Sequence, residues 1–410
     1  MTVGTVDDRI IARPQRSEHR LSTGRCAVTG HLVSITSLFP SSDVLEQWRE
    51  LASRALVPNL FYEPEFAQAA SLAFGKNVQL LTISTTENGQ TRMLLAWPYR
   101  VVRQRWGIPL HVMLGWTHPF ASLGVPLVDA DHAESALRAL LNSRSIFTSL
   151  PPRALLPLIP EEGPIGQILA RLDRERGGHL ACTERHDRAY WRRGEADDPL
   201  ATLSSGTKSK LRQEFRRLER DGRVTHEIIT DSSEMSAALE DYLALEASGW
   251  KARAGTAIPQ SETETTFMRQ LVRELAAQGR IRIDRLRLGG STLASSITYL
   301  SSGRHAWYAK ISYNEDYAKN SPGSQLVLKV TEDFRVNTDI AYADSCAPPS
   351  HPLMRKFWST RFYLSNMMVR LGTDPMFPLA ARLEAWRPTV RDSVRRLLGQ
   401  LRRKALHLGL

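Results

Sequence analysis

The sequence lacks the short motifs that identify the commonest nucleotide-binding, metal-dependent and hydrolytic enzymes. It contains no G-x-x-x-x-G-K-[ST], G-x-G-x-x-G, H-E-x-x-H, C-x-x-C or G-x-S-x-G pattern. Each of these motifs places a phosphate-binding loop, a metal or a nucleophile at a fixed spacing. Their absence leaves no predicted metal site and points to a reaction that needs little specialised chemistry.

Cysteines and long apolar runs are also scarce. The three cysteines, Cys26, Cys182 and Cys346, are far apart, odd in number and without metal-ligand spacing, which argues against a disulfide framework. No apolar run approaches the roughly 20 residues that a membrane span needs. The polar N-terminus shows no secretory signal. We therefore expect a protein of the reducing cytoplasm.

What the chain has in excess is positive charge. Its 54 Lys and Arg residues outnumber 43 Asp and Glu residues, for a formal net charge of +11. A basic balance favours anionic partners, here coenzyme A (CoA), an acidic acyl carrier protein, tRNA or an anionic membrane surface. The alternative is that the charge serves solubility alone.

The length of 410 residues predicts two domains. Residues 1–28 are polar and unpatterned, which is typical of a disordered arm. Residues 29–195 and 200–372 each place helices before antiparallel hairpins, which predicts two related modules of α/β (α+β) type. Residues 352–371 are predicted to be an aromatic-rich helical segment, and residues 380–410 a basic amphipathic helix.

Within the second module the local signals are strong. A helix is predicted over Ser232–Ser248, with Asp231 at its N-cap, and another over Glu262–Gln278. Three strands follow as a meander, joined by glycine-containing turns: Arg280–Leu288, Thr292–Leu300 and Arg304–Tyr313.

The stretch from Arg304 to Asp344 reads as strand, loop, helix and strand. Alternation along the first strand puts Tyr308 and Lys310 on one face. At the start of the helix, Pro322 fixes the approach of the chain, Gly323 permits an unusual backbone angle, and Ser324 can cap. Such a helix start leaves unpaired N–H groups that bind anions, and phosphate is their commonest occupant.

Four segments resemble the cellulose-biosynthesis (CelD-like) acetyltransferase family, which has the GNAT fold and is related to the FemAB aminoacyl transferases. They are KSKLRQEFRRLERDG (208–222), GWKARAGTA (249–257), YNEDYAKNSPGSQL (313–326) and YADSCAPPSHPLMRKFW (342–358). The N-terminal half matches only in layout, through LFYEPEFAQAA (60–70). The resemblance implies two GNAT-like modules, each a mixed, mostly antiparallel sheet flanked by helices. It also implies transfer of an acyl group, expected to be acetyl, from acyl-CoA to an amine in cell-envelope or polysaccharide biosynthesis.

In GNAT-like folds the strand-to-helix loop holds the pyrophosphate of CoA. The resemblance therefore implies cofactor binding by Asn320, Ser321, Pro322, Gly323, Ser324 and Gln325. This loop has one glycine where the family's usual loop is glycine-rich, so a carrier-bound acyl group or aminoacyl-tRNA stays open as donor.

Transfer from a thioester requires alignment of the amine, removal of its proton and stabilisation of the oxyanion. The resemblance implies catalytic roles for Tyr308, Asp344 and Lys356: a proton donor to the thiolate, a base or amine-orienting group, and an anion-holding cation. The alternative for Asp344 and Lys356 is a surface salt bridge. His305 and His351 are candidate bases, although a lone histidine is more often structural.

The predicted substrate-binding residues come from three places. Lys208 and Arg212 lie on a basic helix face that could bind phosphates, with a solvated face as the alternative. Trp250 and Lys251 are expected on the acceptor side, unless the tryptophan is packed in the core. Lys310 and Tyr313, on the strand before the loop, complete the set.

Two other functions stay open: a FemAB-like transferase that uses aminoacyl-tRNA, and a non-catalytic protein that binds a biosynthetic assembly at a membrane surface. The second depends on the tail, where Trp386–Leu410 contains seven Lys or Arg and one Asp. One helical face there is apolar, through Val390, Val394, Leu397, Leu398 and Leu401. This face could dock on the inner membrane face or on the protein's own core.

Overall fold

The computed structural model describes residues 22–178, 180–195, 197–301 and 304–407, with the backbone alone for residue 392 and residues 394–407. The strands are β1 (Ser22–Arg25), β2 (Leu32–Thr36), β3 (Gln79–Glu87), β4 (Gln90–Val102), β5 (Val112–Gly115), β6 (Leu127–Val128), β7 (Arg153–Pro160), β8 (Ala181–Arg192), β9 (Val224–Ile229), β10 (Ile281–Leu288), β11 (Ser291–Ser301), β12 (His305–Tyr313), β13 (Tyr342–Asp344) and β14 (Thr360–Arg370). The helices are α1 (Ser42–Ser53), α2 (Pro64–Phe74), α3 (Ala133–Leu141), α4 (Ser143–Ile146), α5 (Pro164–Glu175), α6 (Ser205–Asp221), α7 (Ser232–Ser248), α8 (Trp250–Arg253), α9 (Glu262–Ala277), α10 (Pro322–Val336), α11 (Pro352–Phe357) and α12 (Phe377–His407).

The strands form one large sheet. Their order is β1-β2-β3-β4-β5-β7-β14-β8-β13-β12-β11-β10-β9, and β6 pairs with β4 beside this path. Two neighbouring pairs are parallel, β5 with β7 and β12 with β13. The other pairs are antiparallel. The predicted mixed, mostly antiparallel α/β architecture is confirmed.

The local predictions for the second half hold closely. α7 begins after Asp231, whose side chain accepts the N–H of Ser233, so its predicted cap is confirmed. The predicted meander is β10, β11 and β12. α10 packs on one face of these strands, while α7 and α9 pack on the other. The core of this half therefore has two apolar layers with the sheet between them.

The predicted helix over residues 352–371 is wrong for most of its length. Only Pro352–Phe357 are helical, and Thr360–Arg370 form β14 between β7 and β8. Backbone pairing along both edges of β14 stabilises the strand, whereas the aromatic composition alone did not distinguish strand from helix.

One strand of the second predicted module lies within the part of the sheet formed by the first. β14, from the second, pairs with β7 and β8, from the first. The division at residues 195–200 stays a prediction. Of the predicted arm, residues 1–21 lie outside the described part of the chain, and Ser22–Arg25 form β1 at the sheet edge.

The beginning of α12 docks on the N-terminal half. Phe377 and Ala380 are buried in an apolar cluster with residues of β5, β7 and β14. Glu384, fully buried, accepts hydrogen bonds from Nε and Nη2 of Arg105, each 2.7 Å, and from Nε1 of Trp106 at 2.8 Å. No described helix has an apolar stretch long enough to cross a bilayer.

We expect Glu384→Ala to lower the free energy of unfolding by about 3–5 kcal/mol, because it leaves the Arg105 guanidinium buried without its partner. Urea denaturation measures this loss. The control is Glu332→Ala, which removes an exposed bond to Arg335 and should cost no more than about 1 kcal/mol. Equal losses in the two variants would contradict the docking role of Glu384.

Candidate active site

The parallel pairing of β12 with β13 stops early. The last paired residues are Trp307 and Asp344, after which the chain leaves β13 and the N–H of Ser345 bonds to Ala189 O at 3.2 Å. β12 continues to Tyr313, and no strand of the described residues pairs with that edge. A cavity of about 770 Å³ lies there, bounded by β12, the first turn of α10, α8 and the loop after β13.

A β-bulge in β12 determines which side chains face this cavity. Thr298 pairs with Tyr308 and Ile297 with Lys310, so Ala309 is an extra residue on β12. Tyr308 faces α10, but Lys310 is turned to the opposite face, where its Nζ lies 4.1 Å from the ring centroid of Phe120. The simple alternation predicted from the sequence is therefore wrong at this point.

The first turn of α10 forms one wall of the cavity. Ser321, not Ser324, is the N-cap residue, and the unusual backbone angle expected at Gly323 occurs at Ser321, which is left-handed with φ 50° and ψ 50°. Pro322 has no N–H and the N–H of Gln325 bonds to Ser321 O, so the N–H groups of Gly323 and Ser324 have no partner within the helix.

Gly323 leaves room in the cavity. A Cβ at this position would lie 3.6 Å from Cδ1 of Tyr313, an ordinary contact distance. The fold itself can accommodate a side chain here, so the glycine matters for what approaches the helix start from the cavity.

Two neighbouring lysines in the cavity have different environments. Lys251 Nζ donates to Glu246 Oε1 at 2.7 Å and to Ile311 O at 2.9 Å, and Glu246 is also bonded to Tyr242. Within the described residues Lys310 makes no hydrogen bond or ion pair. Burial lowers the pKa of Lys310, and the positive charge of Lys251 lowers this pKa further. Lys310 is therefore the lysine suited to accept a proton.

The two candidate histidines differ in position. His351 lines the cavity, and its Nδ1 accepts the N–H of Met354 at 3.4 Å. Burial lowers the pKa of His351, which favours a neutral ring whose proton is on Nε2, a donor rather than a base. His305 lies outside the cavity, beside the ring of Tyr342.

Asp344 is buried behind the cavity instead of lining it. Its Oδ1 accepts the N–H of Cys346 at 2.7 Å, and its Oδ2 lies 3.3 Å from Nη1 of Arg188. Burial raises the pKa of Asp344, and Arg188 opposes this shift. The carboxylate thus belongs to a buried ion pair, not a surface one, and it orients the loop that carries Cys346.

The cavity gathers most of the predicted site residues, and the roles assigned to them stay predictions. Its walls include Tyr308, Trp250, Lys251, Lys310, Tyr313 and Ser321–Ser324. Trp250 is half exposed, so the core-packed alternative for it is not observed.

The remaining predicted residues lie elsewhere. The side chains of Asn320 and Gln325 bond to backbone oxygens of α6. Lys208 and Arg212 line a separate groove beside α6. Lys356, outside the cavity walls, has its Nζ 5.1 Å from the ring centroid of Phe357.

Sequence reasoning missed two contributions to the cavity. Pro119 lines it and Phe120 contacts Lys310, and both come from the N-terminal half. Cys346 lines it in a left-handed conformation, with φ 52°. Burial raises the pKa of the Cys346 thiol, which keeps it protonated. The position of Cys346 directly after the predicted strand was the one available signal.

The corresponding position beside the other parallel pair of the sheet is filled. β5 and β7 pair at Met113–Ala154 and Leu114–Leu155. Beyond that point, a Cβ on Gly115 would lie 2.7 Å from Cδ of Pro157, and one on Gly124 would lie 2.1 Å from Pro157 O. The chain's own atoms fill this position, so the open parallel pair is the one in the C-terminal half.

Comparison with known proteins agrees with this location. Residues 205–347, from α6 to the loop after β13, match the family model described as Acetyltransferase (GNAT) domain. No curated protein sequence matches the chain. The match supports a transferase, and the narrower CelD-like resemblance stays a prediction.

Two solved structures share the fold over most of their length. FemX superposes with a TM-score of 0.52 at 10% identity, over 82% of this chain and 98% of FemX. The C-terminal domain of a protein described as a lysylphosphatidylglycerol synthetase, from Agrobacterium fabrum, superposes with a TM-score of 0.50 at 13% identity, over 84% and 96%. At these identities the likeness shows the fold alone.

Lys310→Met should stabilise the protein at pH 7, and the gain should shrink as the pH rises to 10. The folded state disfavours the charged amine, so stability of the wild type rises between the lowered folded pKa and the ordinary pKa of about 10.4. Urea denaturation across this range tests the sign. Lys356→Met is the control, and we expect it to keep the wild-type pH dependence. An unchanged pH profile for Lys310→Met would contradict this environment for Lys310.

Proposed function

We propose that this chain is an N-acyltransferase that moves an acyl group, acetyl by expectation, from acyl-CoA to an amine at the open edge of β12. One observation carries the proposal: the parallel pair separates after Trp307 where an unpaired lysine and the start of α10 meet in one cavity. This arrangement supplies an anion-binding end, a free strand edge and a proton acceptor, which are the groups that aminolysis of a thioester requires.

The start of α10 is the proposed site for the donor's pyrophosphate. The N–H groups of Gly323 and Ser324 and the positive end of the helix dipole favour anions there. The thioester would then lie along β12, where backbone N–H groups on the open edge can donate to the carbonyl oxygen.

The proposed transfer requires two proton movements. Lys310 takes a proton from the attacking amine, the new N–C bond forms, and the C–S bond breaks. The thiolate gains a proton, for which the hydroxyl of Tyr308 is the proposed donor. This hydroxyl is buried, and burial raises the pKa of Tyr308, so the proton is present. Asp344 would act by positioning the loop after β13.

Gly323→Ala should weaken CoA binding at least tenfold, about 1.4 kcal/mol, because its methyl group takes up space in the cavity at the first turn of α10. The melting temperature should stay within a degree or so, since the nearest atom would be 3.6 Å from the new Cβ. Calorimetry with CoA measures the first effect and thermal denaturation the second.

Gly290→Ala is the matched control, because a Cβ there meets no atom within 4 Å and the residue lies in the β10–β11 turn. Equal CoA binding by wild type and Gly323→Ala would remove the helix start from the donor site. If the wild type binds neither CoA nor acyl-CoA, the proposal that acyl-CoA is the donor is wrong.

An aminoacyl-tRNA donor is the second candidate. It is favoured by the fold shared with FemX, together with the resemblance to FemAB transferases and the +11 charge. The reacting groups would be the same, with an aminoacyl ester in place of the thioester. The acceptor, an amine in cell-envelope or polysaccharide biosynthesis, is proposed from the resemblance alone.

We also propose peripheral contact of α12 with the inner, cytoplasmic face of an anionic membrane. While Phe377, Ala380 and Glu384 dock inward, Trp386 and Val390 are 69% and 59% exposed, one turn apart. Eight Lys and Arg follow from residue 382 onward, against two acids, of which Glu384 is buried. An exposed tryptophan among basic residues is typical of an interfacial helix. Side chains beyond residue 393 lie outside the description.

Trp386→Ser with Val390→Ser should reduce binding to phosphatidylglycerol vesicles several-fold at low salt, because apolar surface on the exposed face of α12 is lost. Vesicle sedimentation measures it. Val336→Ser is a matched control, since this valine is equally exposed, at 59%, but lies at the end of α10. Sedimentation unaffected by the double substitution, or absent in the wild type, would remove the membrane role.

A further inference from the structure

A groove of about 360 Å³ lies between α6 and α10, beside residues 198–200. The groove and the cavity lie on two sides of the first turn of α10, because Ser324 lines the cavity and the next residue, Gln325, lines the groove. The Gln325 side chain donates to Leu211 O at 2.9 Å and so holds α6 against this turn.

Basic and acidic side chains both line the groove. Leu211 lies beside Gln325, and Phe215 lies beside Lys329, whose Nζ is 5.4 Å from its ring centroid. Lys208, Arg212 and Arg216 line the groove from α6. The acids Glu219 and Glu332 line it one turn beyond Phe215 and Lys329 along their own helices.

The basic side chains that α6 contributes to the groove are not neutralised by the protein. Within the described residues, Lys208, Arg212 and Arg216 form no ion pair, and the Nζ of Lys329 lies over the ring of Phe215. By contrast, Lys210 on the same helix lies 3.8 Å from Glu214. Uncompensated cations around a partly apolar groove complement a ligand that combines a flat ring with phosphates.

The floor of the groove is suited to the ring of such a ligand. Leu211, Phe215 and Leu328 supply apolar surface, and the half-buried ring of Phe215 can stack with a base. Of the acids in the groove, Glu332 is bonded to Arg335 and Asp198 accepts the N–H of Leu200. Neither carboxylate forms an ion pair with Lys208 or Arg212.

We propose that this groove binds the phosphorylated adenosine of the donor, with its phosphates at Lys208 and Arg212 and its ring on Phe215. This rests on the proposed transferase function with acyl-CoA as donor, because the nucleotide end of CoA would lie here while its acyl group lies in the cavity. In aminoacyl-tRNA the terminal adenosine itself carries the acyl ester, so the groove favours CoA as the donor.

Adenosine 3′,5′-bisphosphate is the probe, because it carries the nucleotide without any acyl-bearing arm. By calorimetry at low salt, the wild type and Lys210→Ala should bind it equally. Lys208→Ala with Arg212→Ala should bind it at least tenfold more weakly. The wild type should bind unphosphorylated adenosine at least tenfold more weakly than the bisphosphate. Added salt should reduce the affinity of the wild type for the bisphosphate. A thermal melt checks that each variant is folded.

Bisphosphate binding that is equal in the wild type and the double variant, or absent from the wild type, would overturn the groove assignment. Gly323→Ala should keep bisphosphate binding, since its substitution faces the cavity. If CoA binds the protein but does not compete with the bisphosphate, the groove assignment fails while the acyl-CoA donor stands. If neither CoA nor acyl-CoA binds, the acyl-CoA donor itself fails.

Discussion

The end of the parallel contact between β12 and β13 is the constraint on which the site depends. Had pairing continued past Trp307 and Asp344, the edge of β12 would be covered and no cavity would form. Asp344 helps to fix where the pairing ends. Its buried carboxylate binds the N–H of Cys346 and the guanidinium of Arg188, and these bonds direct the chain away from β12. A buried ion pair is costly to break, so the loop has a defined path.

The two lysines of the cavity differ because Glu246, buried beside the cavity, pairs with Lys251 and not with Lys310. Lys310 reaches its environment because the bulge at Ala309 turns it away from Tyr308. One extra backbone residue therefore places the lysine on one face of the strand and the hydroxyl of Tyr308 on the other.

The sheet contains two parallel pairs, β5 with β7 and β12 with β13. They differ in whether side chains fill the space beyond the last paired residues. In the N-terminal half the space beside Gly115 is filled by Pro157. In the C-terminal half the corresponding region stays open, and the N-terminal half contributes Pro119 and Phe120 to it instead. The same half supplies Arg188, which holds Asp344. The N-terminal half thus supports the cavity of the other half.

Sequence alone determined the features whose causes are local. The Asp231 cap, the turns of the meander and the strand-loop-helix order before α10 each arise within a few residues, so pattern and propensity sufficed. The resemblance placed the site in the C-terminal half, and most of its predicted residues line the cavity. Charge pattern also singled out the basic face of α6, although not the groove beside it.

Only the tertiary structure decided what depends on distant partners. β14 is a strand because β7 and β8 pair with both of its edges. Lys310 faces Phe120 because β11 pairs around a bulge that alternation cannot show. Asp344 is buried because Arg188, far away in sequence, meets it across the sheet. In each case the deciding energy comes from long-range pairing and burial, and a linear pattern does not record which segments will meet.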